Sequence, residues 1–412
     1  MTEATTVGPS LDDFEAARAV VARATQVTPM ESSRFLEQVL GSPVFLKCEN
    51  LQRTGSYKIR GAVNRLSKLT SEEKARGVVA ASAGNHAQGV ALAARELGIH
   101  ATIFMPVGVA LPKLQATRDY GAEVVLRGHI FDETATAAKA FAAENDAVFI
   151  PPFDHIDIVT GQGTLGLEIL EQVPDVDTIV VPIGGGGLIS GVASAVKQRA
   201  AQLGRTVRII GVQAANAAPY PASLELGVAT EIAISPTISD GIAVAKPGLL
   251  NFDLVQQYVD EVVTVSDDMT AQALLVLLER AKLVVEPAGA VGVAALLSGL
   301  VVDSGTTVFI LSGGNIDPLM MERVISHGLA SSERYLKLRI PLPDRPGQLA
   351  RTSAIIAEQN ANVVEVLHTR HGSGMQISQV ELELHIETRG PDHAEQVIEA
   401  LRAEGYRPRL DF

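Results

Sequence analysis

The sequence predicts an α/β protein with two lobes built on open parallel sheets, followed by a smaller ferredoxin-like βαββαβ domain. Three observations lead there. Short apolar runs alternate with amphipathic segments in two separate series, the runs stop at glycine clusters, and the rhythm changes after His327. Strands that alternate with helices in this way imply a parallel sheet with helices on both faces.

The first series runs from Gly77 to about Gly128. Its "GVVAASAGNHAQGVALAARELGIHATIFMP" reads as strand, loop, helix and strand, and "AEVVLRG" from Ala122 adds a strand after the next helix. The second series opens near Thr178 with "TIVVPIGGGGLISGVASAVKQRA", continues through "RIIGVQA" at Arg208 and ends with "TTVFILSGGN" at Thr306. Each apolar run is expected to end in a glycine cluster. In open α/β sheets ligands lie beyond the C-terminal ends of the strands, so one ligand site is expected between the two lobes.

A small polar stretch, "GLASSERY", reads as a linker. Beyond it "YLKLRIPL" alternates, "PGQLARTSAIIAEQNA" is helical and "NVVEVLHTRH" is a strand. "SQVELELHIETRG" puts Val380, Leu382, Leu384 and Ile386 on one face, "PDHAEQVIEALRAEG" is helical and "YRPRL" is a last short strand. That order is the ferredoxin-like one. The expected division is therefore residues 1–330, with a smaller lobe of about 60–160 inserted in a larger one, and residues 331–412.

Composition narrows the partners. A chain of 412 residues suggests two or three domains, since single domains run to about 100–200 residues. Thirty-four basic against forty-seven acidic residues give a net charge of −13, which repels nucleic-acid phosphates and anionic membrane surfaces. No nucleic-acid or membrane partner is expected. Cys48 is the only cysteine, so no internal disulfide can form, which fits a reducing cytoplasm. The N-terminal "MTEATTVGPSLDDFEAA" has early acids and no apolar core, the pattern of neither a signal nor a transit peptide. No apolar run approaches the roughly 20 residues that span a bilayer.

Four short strings carry the chemistry. "TGSYKIRGA", Thr54 to Ala62, sets Lys58 between punctuating glycines. "PIGGGGL" follows a strand and opens a helix, where unpaired N–H groups and the helix dipole favour a phosphate; Gly184, Gly185, Gly186 and Gly187 would let backbone close around it without Cβ obstruction. A tight strand-to-helix turn explains the same residues equally well. "SAGNHAQG" has the same placement, with Ser82 and Asn85 either capping the helix or facing a ligand. "LSGGN" is a third loop, in which Ser312 could be a turn residue. His86, His100, His129, His155 and His327 lack metal-ligand spacing.

Taken in order, these strings and "VEPAGA" from Val285 resemble the fold-type II enzymes that use pyridoxal 5'-phosphate, and within them the threonine dehydratases, or threonine ammonia-lyases. Serine dehydratases and serine racemases are near neighbours. The resemblance runs from about Thr28 to His327. It implies that Lys58 holds the cofactor covalently and later acts as base at the substrate Cα. Desolvation would have to lower its pKa for that role. Gly184 to Leu188 match the phosphate cup, Asn85 the partner of the ring hydroxyl, and Ser312 the partner of the ring nitrogen. A serine cannot keep that nitrogen protonated as a carboxylate would, which favours elimination over transamination. Tyr57 stands where relatives pack phenylalanine on the ring, and Glu286 lies near it. Ser82, Ala83, Gly84, Asn85 and His86 match the clamp on the substrate carboxylate.

Two departures sharpen the expectation. Serine racemases carry serine at the position of Ala83, and alanine cannot exchange a proton, so racemisation is disfavoured. Gln213 and Pro219 replace carboxylates that hold a divalent ion in several relatives, so no metal is expected there. The C-terminal eighty or so residues resemble an ACT domain, with "LPDRPGQLA" as its first loop. Gly347, Gln348 and Leu349 would meet an amino-acid effector there, with Gly347 permitting close approach; a purely cementing role in a homo-oligomer, tetramer or dimer, is the other reading. The activity expected is conversion of L-threonine to 2-oxobutanoate and ammonia, with slower action on L-serine. Two alternatives stay open: a serine or 3-hydroxyaspartate ammonia-lyase, and a catalytically decayed amino-acid sensor.

Overall fold

The computed structural model describes residues 8–370 and 379–410. The N-terminal segment through Val7, and the strand ends expected at His371 and Ser378, lie outside the described residues. Two compact units divide the chain, Met1–Pro318 and Leu319–Phe412. The helix Pro318–Ser331, which the sequence places with the first 330 residues, therefore goes largely with the second unit. Its helical pattern alone does not say which core it serves.

In the first unit the strands are β1 (Met30–Ser32), β2 (Val44–Lys47), β3 (Val78–Ala81), β4 (Ala101–Met105), β5 (Glu123–Leu126), β6 (Val148–Phe149), β7 (Thr178–Pro182), β8 (Arg208–Ala214), β9 (Glu261–Val265) and β10 (Thr307–Ile310). Strands β3 to β6 form the smaller sheet in the order β5-β4-β3-β6, parallel throughout. The rest form β1-β2-β10-β7-β8-β9, parallel except for the edge strand β1. Helices cover both faces of the smaller sheet, so β3 and β4 are buried throughout, as continuous apolar runs in parallel sheets should be. One expectation fails in detail: β8 ends in the short turn Ala215–Ala217, with no glycine there. That strand end packs protein against protein through Gln213, and no backbone has to approach a ligand.

A buried ion network fixes the helix that starts at Lys58. Arg60 bridges Glu49 and Glu168 at 2.8 and 2.9 Å, and Lys47 meets Glu168 at 2.5 Å. Burial pushes Glu168 up, but Arg60 and Lys47 outweigh it and hold the carboxyl below its usual range. Fully paired, these charges avoid the heavy cost of an isolated buried ion.

In the second unit β11 (Tyr335–Pro343), β12 (Asn362–Thr369), β13 (Gln379–Glu387) and β14 (Arg409–Leu410) form an antiparallel sheet in the order β12-β13-β11-β14. Val380, Leu382, Leu384 and Ile386 all turn inward, as their alternation predicts, and pack with Ile356 and Val397 of the two helices. No described helix is long and apolar enough to cross a membrane.

Candidate active site

Lys58 is the first residue of the helix Lys58–Ser67, so its side chain leaves the helix start and enters a cavity of about 810 Å³. Residues of both lobes line that cavity, among them Ser82, Asn85, Gly184, Gly186, Glu286 and Ser312. The Lys58 ammonium donates to the Pro152 carbonyl at 3.0 Å and lies 5.4 Å from the centre of the Tyr57 ring. Lys58 is half-buried in the cavity wall, and desolvation there pulls its pKa down to about 8 against the opposing pull of Glu286. A useful fraction of neutral amine is therefore present near neutrality.

The lysine string and the third loop are zipped together. Tyr57 N–H donates to Ser312 O at 3.1 Å, Gly314 N–H donates to Gly55 O at 2.8 Å, and Ser56 pairs with Gly313 as an antiparallel bridge. Ser312 is thereby carried into the cavity beside Lys58. Glu286 reaches the same place because residue 313 is glycine; a Cβ there would collide with the Glu286 carboxylate. Burial, then Asp240, pushes the Glu286 carboxyl up to about 7. Asn85 lies between two neighbours: its Nδ2 donates to Glu286 Oε1 at 2.6 Å, and its Oδ1 accepts from Asn315 Nδ2 at 2.8 Å.

Capping does not explain the two glycine-bearing helix starts. Elsewhere Ser10, Ser33, Thr70 and Ser266 cap their helices in the ordinary way. The helices Asn85–Leu97 and Gly187–Gln202 begin after Gly84 and Gly186, with no side chain closing the first turn. Ser82 Oγ accepts from Gly84 N–H at 3.0 Å and so shapes its own loop. The first N–H groups of both helices thus lack intrahelical or side-chain partners and line the cavity, which suits anions. Ala83 and Gly84 lie on the same rim. His86 turns its ring inward, Nε2 3.0 Å from Ile150 O, and burial holds its pKa down at about 3. It is neutral.

The cup from Gly184 to Leu188 needs its glycines for space and for conformation. A Cβ at Gly185 would enter the Phe153 ring, one at Gly187 would come within 2.9 Å of Phe153 Cβ, and one at Gly186 would strike the Tyr220 hydroxyl. Gly186 also sits at φ +103°. Pyridoxal phosphate presents a phosphate, a flat ring, an acceptor nitrogen, a phenolic oxygen and a carbonyl carbon. The Cβ-free cradle, the open N–H groups, the Ser312 hydroxyl, the Asn85 amide and a partly neutral lysine are a fitting set of groups for it.

Several cavity residues escape the sequence reading. Lys113 from the smaller lobe pairs with Asp240 of the larger at 3.3 Å. Pro152, Phe153 and Asp154 form a strap that meets Lys58, underlies the glycine loop, and accepts from Leu249 and Leu250 N–H at the start of the helix Leu249–Tyr258. Only the unusual "PPFD" after an apolar strand could have drawn attention to it. Among the described residues no group of histidine, cysteine or acidic side chains could hold a metal ion. The buried Cys48 thiol is pushed up to about 12 and is chemically quiet. In the second unit Gly347 sits at φ +88° before the helix Gln348–Glu358, and a Cβ there would meet nothing. The positive φ is a backbone reason for glycine at that position.

Residues 21–313 match the family of pyridoxal-phosphate dependent enzymes, and residues 338–405 match the ACT domain. An L-threonine ammonia-lyase of Thermotoga maritima is 47% identical over 401 residues, covering 97% of this chain and 99% of that protein. Another from Geobacter sulfurreducens is 48% identical over 380 residues, 92% and 94% of the two chains. The structure of maize serine racemase aligns with a TM-score of 0.73 at 35% identity, covering 79% of this chain and 99% of that one.

Proposed function

The chain belongs to the pyridoxal-phosphate dependent enzymes, and from that membership we propose that it is an ammonia-lyase converting L-threonine to 2-oxobutanoate and ammonia by β-elimination. One observation carries the reading: a lysine held at a pKa of about 8 faces the open starts of two helices within one cavity. Pyridoxal phosphate, when bound, supplies the electron sink that makes the Cα proton of an amino acid labile.

The chain's own residues do the rest. Gly184 to Leu188 hold the phosphate, Asn85 the ring hydroxyl and Ser312 the ring nitrogen, while Tyr57 packs beside Lys58. Ser82 to His86 bind the substrate carboxylate at a helix start. Lys58 Nζ then takes the Cα proton, which it can do because desolvation leaves it partly neutral. On the clamp side the residue is Ala83, which has no proton to exchange, so the substrate is deprotonated and not racemised. Glu286, near half-protonation at neutral pH, avoids placing a permanent full charge beside Asn85. Neutral His86 adds no charge of its own.

Replacing Lys58 with alanine should leave the fold intact and lower keto-acid release from threonine by orders of magnitude, about 10³-fold or more. Activity retained in that variant would sink the mechanism. Comparing keto-acid release from threonine, serine and 3-hydroxyaspartate ranks the substrates, with threonine first and serine slower.

The second unit is read as an amino-acid sensor that meets its effector around Gly347, Gln348 and Leu349, in a cytoplasmic homo-oligomer. The support is the ACT match and an exposed loop running into a helix start. Threonine saturation curves with and without isoleucine or valine test this; curves indifferent to both would favour a cementing role.

A further inference from the structure

The carbonyl of Gly185 is the acceptor on which this inference turns. It receives the Asn251 amide Nδ2 at 3.2 Å, the Gly248 N–H at 3.1 Å and the Tyr220 hydroxyl at 3.3 Å. Three donors on one carbonyl exceed what a turn needs for closure. Tyr220 and Asn251 are both fully buried, and neither side chain belongs to the cavity wall. They act from behind the loop.

Asn251 is placed there at a cost. Its Nδ2 also donates to Phe153 O at 3.3 Å, while its Oδ1, buried, finds no partner among the described residues. An amide with a stranded acceptor is worse for stability than a leucine of similar size would be. The residue is kept for its donors. Tyr220 is itself braced: its backbone N–H donates to Gln213 Oε1 at 2.9 Å, and its hydroxyl stands where any Cβ on residue 186 would have to go.

A trans peptide plane fixes the next N–H opposite to the carbonyl. Holding Gly185 O toward Tyr220, Asn251 and Gly248 therefore turns the Gly186 N–H the other way, toward the cavity that Gly186 lines. We propose that Tyr220 and Asn251 are positioning residues that set the polarity of the glycine loop, keeping its peptide N–H groups, and not a carbonyl, aimed at an anion. Without them, the glycine-rich loop is free to flip the 185–186 peptide, and a carbonyl oxygen would then repel the phosphate it is meant to hold. The proposal rests on reading this loop as the seat of the cofactor phosphate.

The test separates phosphate recognition from ring binding. Full-length protein stripped of cofactor is titrated with pyridoxal phosphate and with unphosphorylated pyridoxal, for the wild type, Tyr220→Phe and Asn251→Leu. Each variant should lose about tenfold in the preference for the phosphorylated form, the worth of one hydrogen bond supporting a charged ligand, with pyridoxal affinity unchanged. Inorganic phosphate should compete with pyridoxal phosphate less well in the variants. Preference equal to wild type in both variants overturns the proposal, and so does equal loss for both ligands, which would mean general damage to the fold. Tyr220→Phe removes a single hydroxyl, so it guards against misfolding as the explanation. A wild type indifferent to the phosphate would overturn the reading of the loop itself, and the proposal with it.

Discussion

A buried amine and a buried acid facing one cavity each carry a desolvation cost, and at Lys58 and Glu286 the two costs coincide in pH. Glu286 is raised from 4.5 to about 7, so it binds more protons folded than unfolded in that window, and stability falls as pH rises through it. Lys58 is lowered from 10.5 to about 8, so stability rises again only between about 8 and 10.5. Both penalties are complete between about 7 and 8. Lys58→Met should therefore raise the melting temperature of the cofactor-free chain at every pH below about 8 and little near pH 10.5, and Glu286→Gln should raise it at every pH above about 7 and little near pH 4.5. Melting curves across pH check it; a gain that does not vary with pH would contradict this account. Lys58 is legible in the sequence because its neighbours are distinctive. Tyr220 and Asn251 are not, being 35 and 66 residues away from Gly185 in the chain. Nothing in a local window reports which distant side chain donates to a given carbonyl.

At the scale of elements, glycine clusters mark strand-to-helix turns correctly after β3, β7 and β10, and the apolar runs locate β3, β4, β5, β7, β8 and β10 but leave β1, β2, β6 and β9 of the first unit unread. What the pattern leaves open is whether such a turn closes on a side-chain cap or stays open for a ligand. Gly84 and Gly186 leave their helices without a side-chain cap, as several other helix starts do, and what sets these two apart is that they line the cavity. Gly186→Ala is the sharpest probe. Its Cβ meets the Tyr220 hydroxyl, and φ +103° is strained for any L side chain. Overpacking of this kind costs about 1–3 kcal/mol. The melting temperature should fall and cofactor should be lost on dialysis, whereas Gly204→Ala, at φ +66° with nothing within 4 Å, should keep its cofactor with a smaller loss of stability. Equal behaviour of the two variants would remove the loop's special status.

Across the whole molecule, chemistry falls where two sheets of separate origin in the chain face one another, and this is why single motifs were ambiguous and their ordered set was not. The Lys113–Asp240 pair crosses that cleft. Asp240 is 68% exposed, so the pair adds little to stability. Its importance is to the cavity: Asp240 occupies a cation that a substrate with a second carboxylate would otherwise find. Asp240→Asn should leave the melting temperature unchanged and raise turnover of 3-hydroxyaspartate relative to threonine by about tenfold. A substrate ratio that stays fixed would show that Lys113 does not read the substrate. This coupling was illegible in the sequence, because the two residues are 127 positions apart.

The strap Pro152–Asp154 also has a temporal consequence. It is the stretch of chain that returns from β6 to the larger lobe, entering the helix Ile156–Gln172. Lys58 gains its carbonyl partner, the loop its aromatic floor and the helix Leu249–Tyr258 its cap from three consecutive residues. The hydrogen bonds among these contacts join residues 94, 95 and 96 positions apart in the chain, so we expect the strap to complete them late, once both lobes have formed. Cofactor capture should therefore be the last event of refolding, following recovery of helical signal, and capture that keeps pace with early secondary structure would contradict it. The reactive amine would then be armed only in a molecule that has already passed its own assembly check.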